Sequence, residues 1–134
     1  MSKLTIFLAL AAAILAVSAT AASSPVTTAG SAYGRIVFDT RGFVLYGFTH
    51  DGRGRSNCVG TCAKRWPPYI VRARPAGARL GVIRRGGGRL QLTYAGHPVY
   101  YYVGDRKPGQ ILCQNVSEFG GLWLVIRADG TLVR

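Results

Sequence analysis

From Gly34 onward, apolar residues recur at short spacing between clusters of turn residues, and nowhere do they hold a helical period. Leu90, Leu92 and Tyr94 alternate with Arg89, Gln91 and Thr93, the period of a strand with one buried and one solvated face. Turn residues at Asp39-Thr40-Arg41-Gly42 and Ala95-Gly96 predict two hairpins, Tyr33–Phe38 with Phe43–Phe48 and Arg89–Tyr94 with Pro98–Val103. Further strands are predicted at Tyr69–Ala73, Leu80–Arg84 and Leu122–Arg127, with Ala128-Asp129-Gly130 turning into a terminal Thr131–Val133. Arg85-Gly86-Gly87-Gly88 reads as a flexible hairpin loop; it lacks the following Lys-Ser or Lys-Thr, and the helix, that a phosphate loop requires. Thr61–Trp66 has room for one helical turn before Pro67 and Pro68 stop it. The consistent class is all-β: a small antiparallel β-sandwich or barrel-like domain with little helix.

Comparing the chain with itself exposes an internal repeat. Gly34-Arg35-Ile36-Val37-Phe38 aligns with Gly88-Arg89-Leu90-Gln91-Leu92 at an offset of 54. At that offset Gly42 meets Gly96, Leu45 meets Val99, Tyr46 meets Tyr100, Phe48 meets Tyr102 and Asp51 meets Asp105. Past the Asp the copies drift, leaving Cys58 near the counterpart of Cys113 and Trp66 near that of Trp123. Two pseudo-repeated hairpin units are therefore expected, over about residues 34–68 and 88–127 of a single domain spanning 33–134.

The start of the chain looks like a processing signal. Lys3 precedes an apolar run, Leu4 to Val17, and small residues follow. A signal peptide is expected over 1–22 and a flexible, small and polar lead-in over 23–32. The run is short for a membrane span, and no transmembrane span is expected after processing. With no cysteine near the cleavage region, lipid attachment is not expected there, and the protein is expected to be secreted, or periplasmic and envelope-associated.

Tyr46-Gly-Phe48-Thr-His-Asp51 resembles the Tyr-x-(Phe/Trp/Tyr)-x-x-Asp signature of the bacterial secreted repeat of unknown function, also described as predicted lipoproteins carrying that motif. Ser56-Asn-Cys58-Val-Gly60-Thr-Cys62-Ala-Lys-Arg-Trp66-Pro-Pro68 is similar to that family's cysteine-and-tryptophan segment, and Gly104-Asp105-Arg106-Lys107-Pro108-Gly109-Gln110 to its second-copy turn. The resemblance covers about Gly34 to Gly130. It implies export and a shared fold; it supplies no activity. This chain departs from the pattern in lacking the lipid-anchor cysteine of many relatives, and in placing Cys113 where a small or polar residue is expected.

The motif has two physical readings. Residues two apart share a strand face, so Tyr46 and Phe48 point one way, as do Tyr100 and Tyr102. Either these aromatics fill the core while Asp51 and Asp105 pin turns through backbone N–H groups two or three residues on, or they form an aromatic surface with a carboxylate at its rim. The cysteines also admit alternatives in an oxidising compartment. Cys58 and Cys62 are candidates for a short-loop disulfide; a Cys58–Cys113 bridge would staple the two copies; and Cys58, Cys62 and His50 are candidate ligands for copper or zinc, or a thiol-redox centre. The spacing is not Cys-x-x-Cys, however, and no cofactor is called for.

Catalysis is not expected. Glu118 and four Asp are the only carboxylates, Ser56 and Ser117 sit in no nucleophile elbow, and the His50-Asp51 neighbours point apart on a strand end. The formal charge is +12, falling to +11 if Lys3 leaves with the leader, and most of the cations are Arg. Such a charge attracts polyanions. The function expected is a non-catalytic extracellular or envelope binding module using Arg53, Arg55, Arg84, Arg85, Arg106, Lys107 and exposed Tyr. Its partners would be anionic envelope polymers, lipid headgroups or another envelope protein, without specific nucleic-acid recognition.

Overall fold

A computed structural model of the protein describes Ser2, residues 12–52 and residues 54–134; Met1 and residues 3–11 of the expected leader, and Arg53, lie outside the described residues. Antiparallel strands dominate the described residues, with one helical turn α1 (Thr61–Arg65), which ends where the two prolines predict, and a 3-10 turn over Gly86–Gly88. The chain begins with a hairpin of β1 (Val26–Ser31) and β2 (Gly34–Asp39), paired in register from Val26↔Asp39 to Ser31↔Gly34. This corrects the flexible lead-in expected over 23–32. Val and Thr favour a pleated backbone, but the segment is an edge strand of small side chains whose alternation is too weak to read. It gives β2 a hydrogen-bonded neighbour, and the Tyr69 hydroxyl donates to the Pro25 carbonyl beside it.

After β3 (Tyr46–Phe48), α1 and β4 (Ile70–Val71) come β5 (Leu80–Arg84), β6 (Leu90–Tyr94) and β7 (His97–Pro98), then β8 (Val116–Glu118) and β9 (Gly121–Val125). They form sheets ordered β1-β2, β3-β9-β8 and β4-β6-β5, with β7 also on β6. Ala95 and Gly96 both have positive φ (49° and 83°), the conformation that closes the tight β6–β7 hairpin.

Both predicted hairpins form only at their turns. Phe38 bridges Val44 and the Leu45 amide donates to Val37, after which the chain leaves β2 and β3 pairs with β9, as Phe48↔Trp123. In the second copy Thr93 pairs with Pro98 and the Val99 amide donates to Leu92, after which Tyr100 leaves β6 to bridge Tyr46. The long second arms expected at Phe43–Phe48 and Pro98–Val103 are thus handed to the other copy.

The copies interlock at their ends as well. β4, from the first copy, pairs with β6 of the second. In return, Arg127 bridges Ile36 on β2 and the Val37 amide donates to the Ile126 carbonyl. Five residues separate the Phe38↔Val44 bridge, whereas four separate Thr93↔Pro98, so the first strands of the two copies correspond at an offset of 55, not 54. Val37 is equivalent to Leu92 and Ile36 to Gln91. The predicted solvated face of β6 is also corrected: Gln91 and Thr93 are buried, because β6 is a central strand covered on both sides.

Two packed clusters make the core. One gathers Ile36, Phe38, Val44, Tyr46, Phe48, Trp66, Tyr100 and Trp123 with all three cysteines; the other holds Val37, Leu45, Leu92, Tyr94, Val99 and Ile126.

Candidate functional site

The motif residues meet at an approximate two-fold axis between the copies. Tyr46 and Tyr100 exchange both backbone hydrogen bonds at 2.9 Å. Each tyrosine then reaches the aspartate of the other copy: the Tyr46 hydroxyl donates to Oδ2 of Asp105 at 2.7 Å, and the Tyr100 hydroxyl to Oδ2 of Asp51 at 2.8 Å. The remaining carboxylate oxygens accept backbone N–H groups, from Leu112 onto Asp105 and from Asn57 onto Asp51. These donors lie seven and six residues on rather than two or three, because each Asp holds a whole loop closed onto its copy's cysteine.

The tryptophans obey the same symmetry. Trp66 and Trp123 stack at 4.0 Å with their planes 4° apart; Tyr46 meets Trp66 edge-on, and Tyr100 meets Trp123 edge-on, each at 5.1 Å. Tyr46, Tyr100, Trp66 and Trp123 are all fully buried, so these aromatics are core and do not form the exposed tyrosine surface considered for ligand contact. Tyr102 is half-buried. Burial pushes the Tyr46 and Tyr100 hydroxyls far above the ordinary tyrosine range, and the carboxylates they serve reinforce the shift. Burial also raises the Asp51 and Asp105 carboxyls, against the hydrogen bonds that pull them down.

Cys58 and Cys62 form a disulfide with Cα atoms 5.2 Å apart, closing the loop before Trp66. Cys113, the counterpart of Cys58, is a buried free thiol whose pKa burial raises. The alternative bridge between Cys58 and Cys113 does not form, and the disulfide leaves neither Cys58 nor Cys62 as a thiolate ligand. His50 is exposed, and among the described residues no three His, Cys, Asp or Glu side chains cluster as a metal site.

The predicted basic residues divide. Arg55, Arg84 and Arg85 come together around a cleft of about 380 Å³ beside the disulfide loop, joined by Arg89, which the sequence reading did not single out. Arg106 and Lys107 stand apart in the Asp105 loop, which docks on the first copy through the Gly109 amide and the Gly42 carbonyl. At the cleft wall Arg85 is held from three sides: Nη1 donates to Ser56 Oγ at 2.7 Å and to Gln91 Oε1 at 2.9 Å, and Nη2 to the Cys58 carbonyl at 2.7 Å. Ser56 Oγ lies 2.7 Å from the Tyr100 hydroxyl. Tyr100 commits its own proton to Asp51, so Ser56 donates and the chain runs Arg85–Ser56–Tyr100–Asp51. The Ser56, Gln91 and Arg89 roles were hidden because they depend on packing between segments far apart in the chain. A second, larger groove of about 550 Å³ is lined by Asp51, His97 and Arg134 among others, so both signs of charge face it.

A buried carboxylate outside the motif, Asp39, binds the amides of Arg41 and Phe43, the Arg41 guanidinium and the Tyr101 hydroxyl. Burial alone would raise its pKa; the hydrogen bonds from Phe43, Tyr101 and Arg41 together hold it below the usual range.

No curated protein and no solved structure matches this chain. Residues 27–69 and 81–132 each match the repeat described as a secreted repeat of unknown function, and both matches take in the paired strands that open each copy, β1-β2 and β5-β6, seven residues earlier than the repeats read from the sequence. With the match covering well over half its length, in two copies that the Tyr–Asp exchange locks together, the chain belongs to the secreted repeat family of unknown function.

Proposed function

We propose that the protein is an exported, non-catalytic binding module for anionic polymers or surfaces. One observation supports this above others: the fold turns its carboxylates inward and its cations outward. Asp39 and Asp105 are buried, Asp51 and Glu118 are half-buried and hydrogen-bonded, and Asp129 is the only exposed acid among the described residues. Every described Lys and Arg is exposed except Arg85 and Arg127, which are half-buried. The outer surface is therefore more one-signed than the formal charge suggests, and it attracts polyanions over a Debye length. The placement of the nucleophile-type residues supports the non-catalytic part: Ser56 is bonded to Arg85 and Tyr100 with no histidine among its partners, and the motif hydroxyls are locked onto carboxylates.

The test is equilibrium binding of the processed chain to a phosphate-bearing polymer and to an uncharged polymer of equal length. Binding to the anionic polymer should weaken steeply between about 0.05 M and about 0.5 M salt, because the screening length shrinks severalfold over that range. Salt-independent binding, or equal affinity for the uncharged polymer, would overturn the reading.

A further inference from the structure

The arginine cleft lies at one of two equivalent corners, and the other corner shows what the scaffold alone requires. Strand pairing sets the correspondence: β1 relates to β5 at an offset of 54, β2 to β6 at 55, and the loops leading to Cys58 and Cys113 at 55. Arg84, Arg85, Arg89 and Arg55 then correspond to Gly30, Ser31, Gly34 and Gln110. Their supports differ in the same sense, Ser56 and Gln91 corresponding to Ile111 and Ile36. The Asp105 corner builds the same strands and the same Tyr–Asp closure without a single one of these arginines.

The fold accepts a cost to keep Arg85 in place. Nε of Arg85 is the only buried side-chain polar atom without a partner among the described residues, and such an atom calls for an explanation beyond packing. Its two Nη groups are fixed by Ser56, Gln91 and the Cys58 carbonyl, so the charge is positioned before any ligand arrives. Arg55, Arg84 and Arg89 are exposed around it, and no carboxylate lines the cleft. A volume of about 380 Å³ takes one phosphate ester with its immediate substituents, and guanidinium forks match its oxygens pairwise.

We propose that this cleft is a specific site for a phosphate-type oxyanion, the phosphodiester of an anionic polymer or of a lipid headgroup, which converts general attraction into docking at one place. It rests on the polyanion-binding reading and narrows it to the Asp51 corner. The test uses the full processed chain with its disulfide intact, titrated by calorimetry with a short glycerol phosphate oligomer and with vesicles of phosphatidylglycerol in phosphatidylcholine. R84A/R89A is compared with R106A/K107A, which removes the same charge elsewhere; all four side chains are exposed, and circular dichroism checks that both variants fold. The cleft pair should weaken binding of at least one probe by about tenfold or more through lost charge-assisted hydrogen bonds, and the Asp105-loop pair by less than about twofold. The probe showing this contrast identifies polymer or headgroup as the source. Equal losses from the two pairs, or none from either, overturn the site while leaving diffuse polyanion binding standing. If the unsubstituted chain binds neither probe at low salt, the broader reading falls too.

Discussion

The Asp51 and Asp105 corners have the same parts around the axis and different surroundings behind them. At both, a tyrosine from the other copy closes on the carboxylate, a loop amide fills the second oxygen, and a cysteine follows. Behind Tyr100 lie Ser56, Arg85 and Gln91 in a continuous polar chain. Around Tyr46, Ile36 and Ile111 pack in the apolar core. Duplication gives each element a built-in control: what both corners retain is what the closure needs, and what only one has is free to serve another end. The disulfide follows the polar corner, where it braces the Cys58 carbonyl that receives Arg85, while the apolar corner keeps Cys113 as a buried thiol.

The tryptophan stack lies on the axis and belongs to both corners, so its loss should be the costliest and the most even. Trp66→Ala and Trp123→Ala should each cost about 3–5 kcal/mol, a large share of what a domain of this size commands, in urea unfolding followed by circular dichroism. If one of them cost less than about 1 kcal/mol, the core would not be shared in the way the contacts imply. The hydroxyls should then separate the corners. Tyr46→Phe strips a donor from the buried Asp105 and should cost about 1–3 kcal/mol. Tyr100→Phe should cost less, about 1 kcal/mol or under, because half-buried Asp51 recovers hydration. The reverse order would mean that the polar chain, and not burial, dominates at these carboxylates.

The smallest effect is a slope with pH. Burial raises the folded-state pKa of Asp105, so folding favours its neutral form; this stability is complete below the unfolded pKa near about 4 and is lost as pH rises through the folded value. Asp39 has a lowered folded pKa, so its contribution is present above about pH 4 and is lost as pH falls through the folded value. Asp105→Asn should therefore gain on the unsubstituted protein as pH rises from about 3 to about 7, and Asp39→Asn should lose over the same range. Melting temperatures across that range decide it; parallel slopes for the two variants would refute the opposed electrostatics.

Much of the scaffold is legible residue by residue. The strand at Leu90–Tyr94, though not its predicted solvated face, the turn at Ala95-Gly96, the helical turn before Pro67 and the strand at Leu80–Arg84 are each set by neighbours a few positions away, and each appears where expected. β1 escaped because small side chains on an edge strand leave almost no hydrophobic alternation, and β8 because three residues are too few to show a period. The repeat is visible in the sequence, yet side chains of similar chemistry match at an offset of 54 along its first strand, whereas the shorter second turn sets the strand pairing at 55. Of the candidate site, the basic residues could be counted but not sorted into a cleft and an outlying loop.

The amino-acid sequence alone determined a duplicated, strand-rich, strongly cationic chain with a cysteine-and-tryptophan segment, since periodicity, turns, charge and self-similarity are local or additive properties. Only the tertiary structure decided that each tyrosine serves the other copy's aspartate, across 49 and 59 residues of chain, and that four arginines converge on one corner alone. Both follow from which strand each hairpin arm finds once it leaves its own turn. That choice is made by burying aromatic surface between distant segments, and it leaves no periodic mark on either of them.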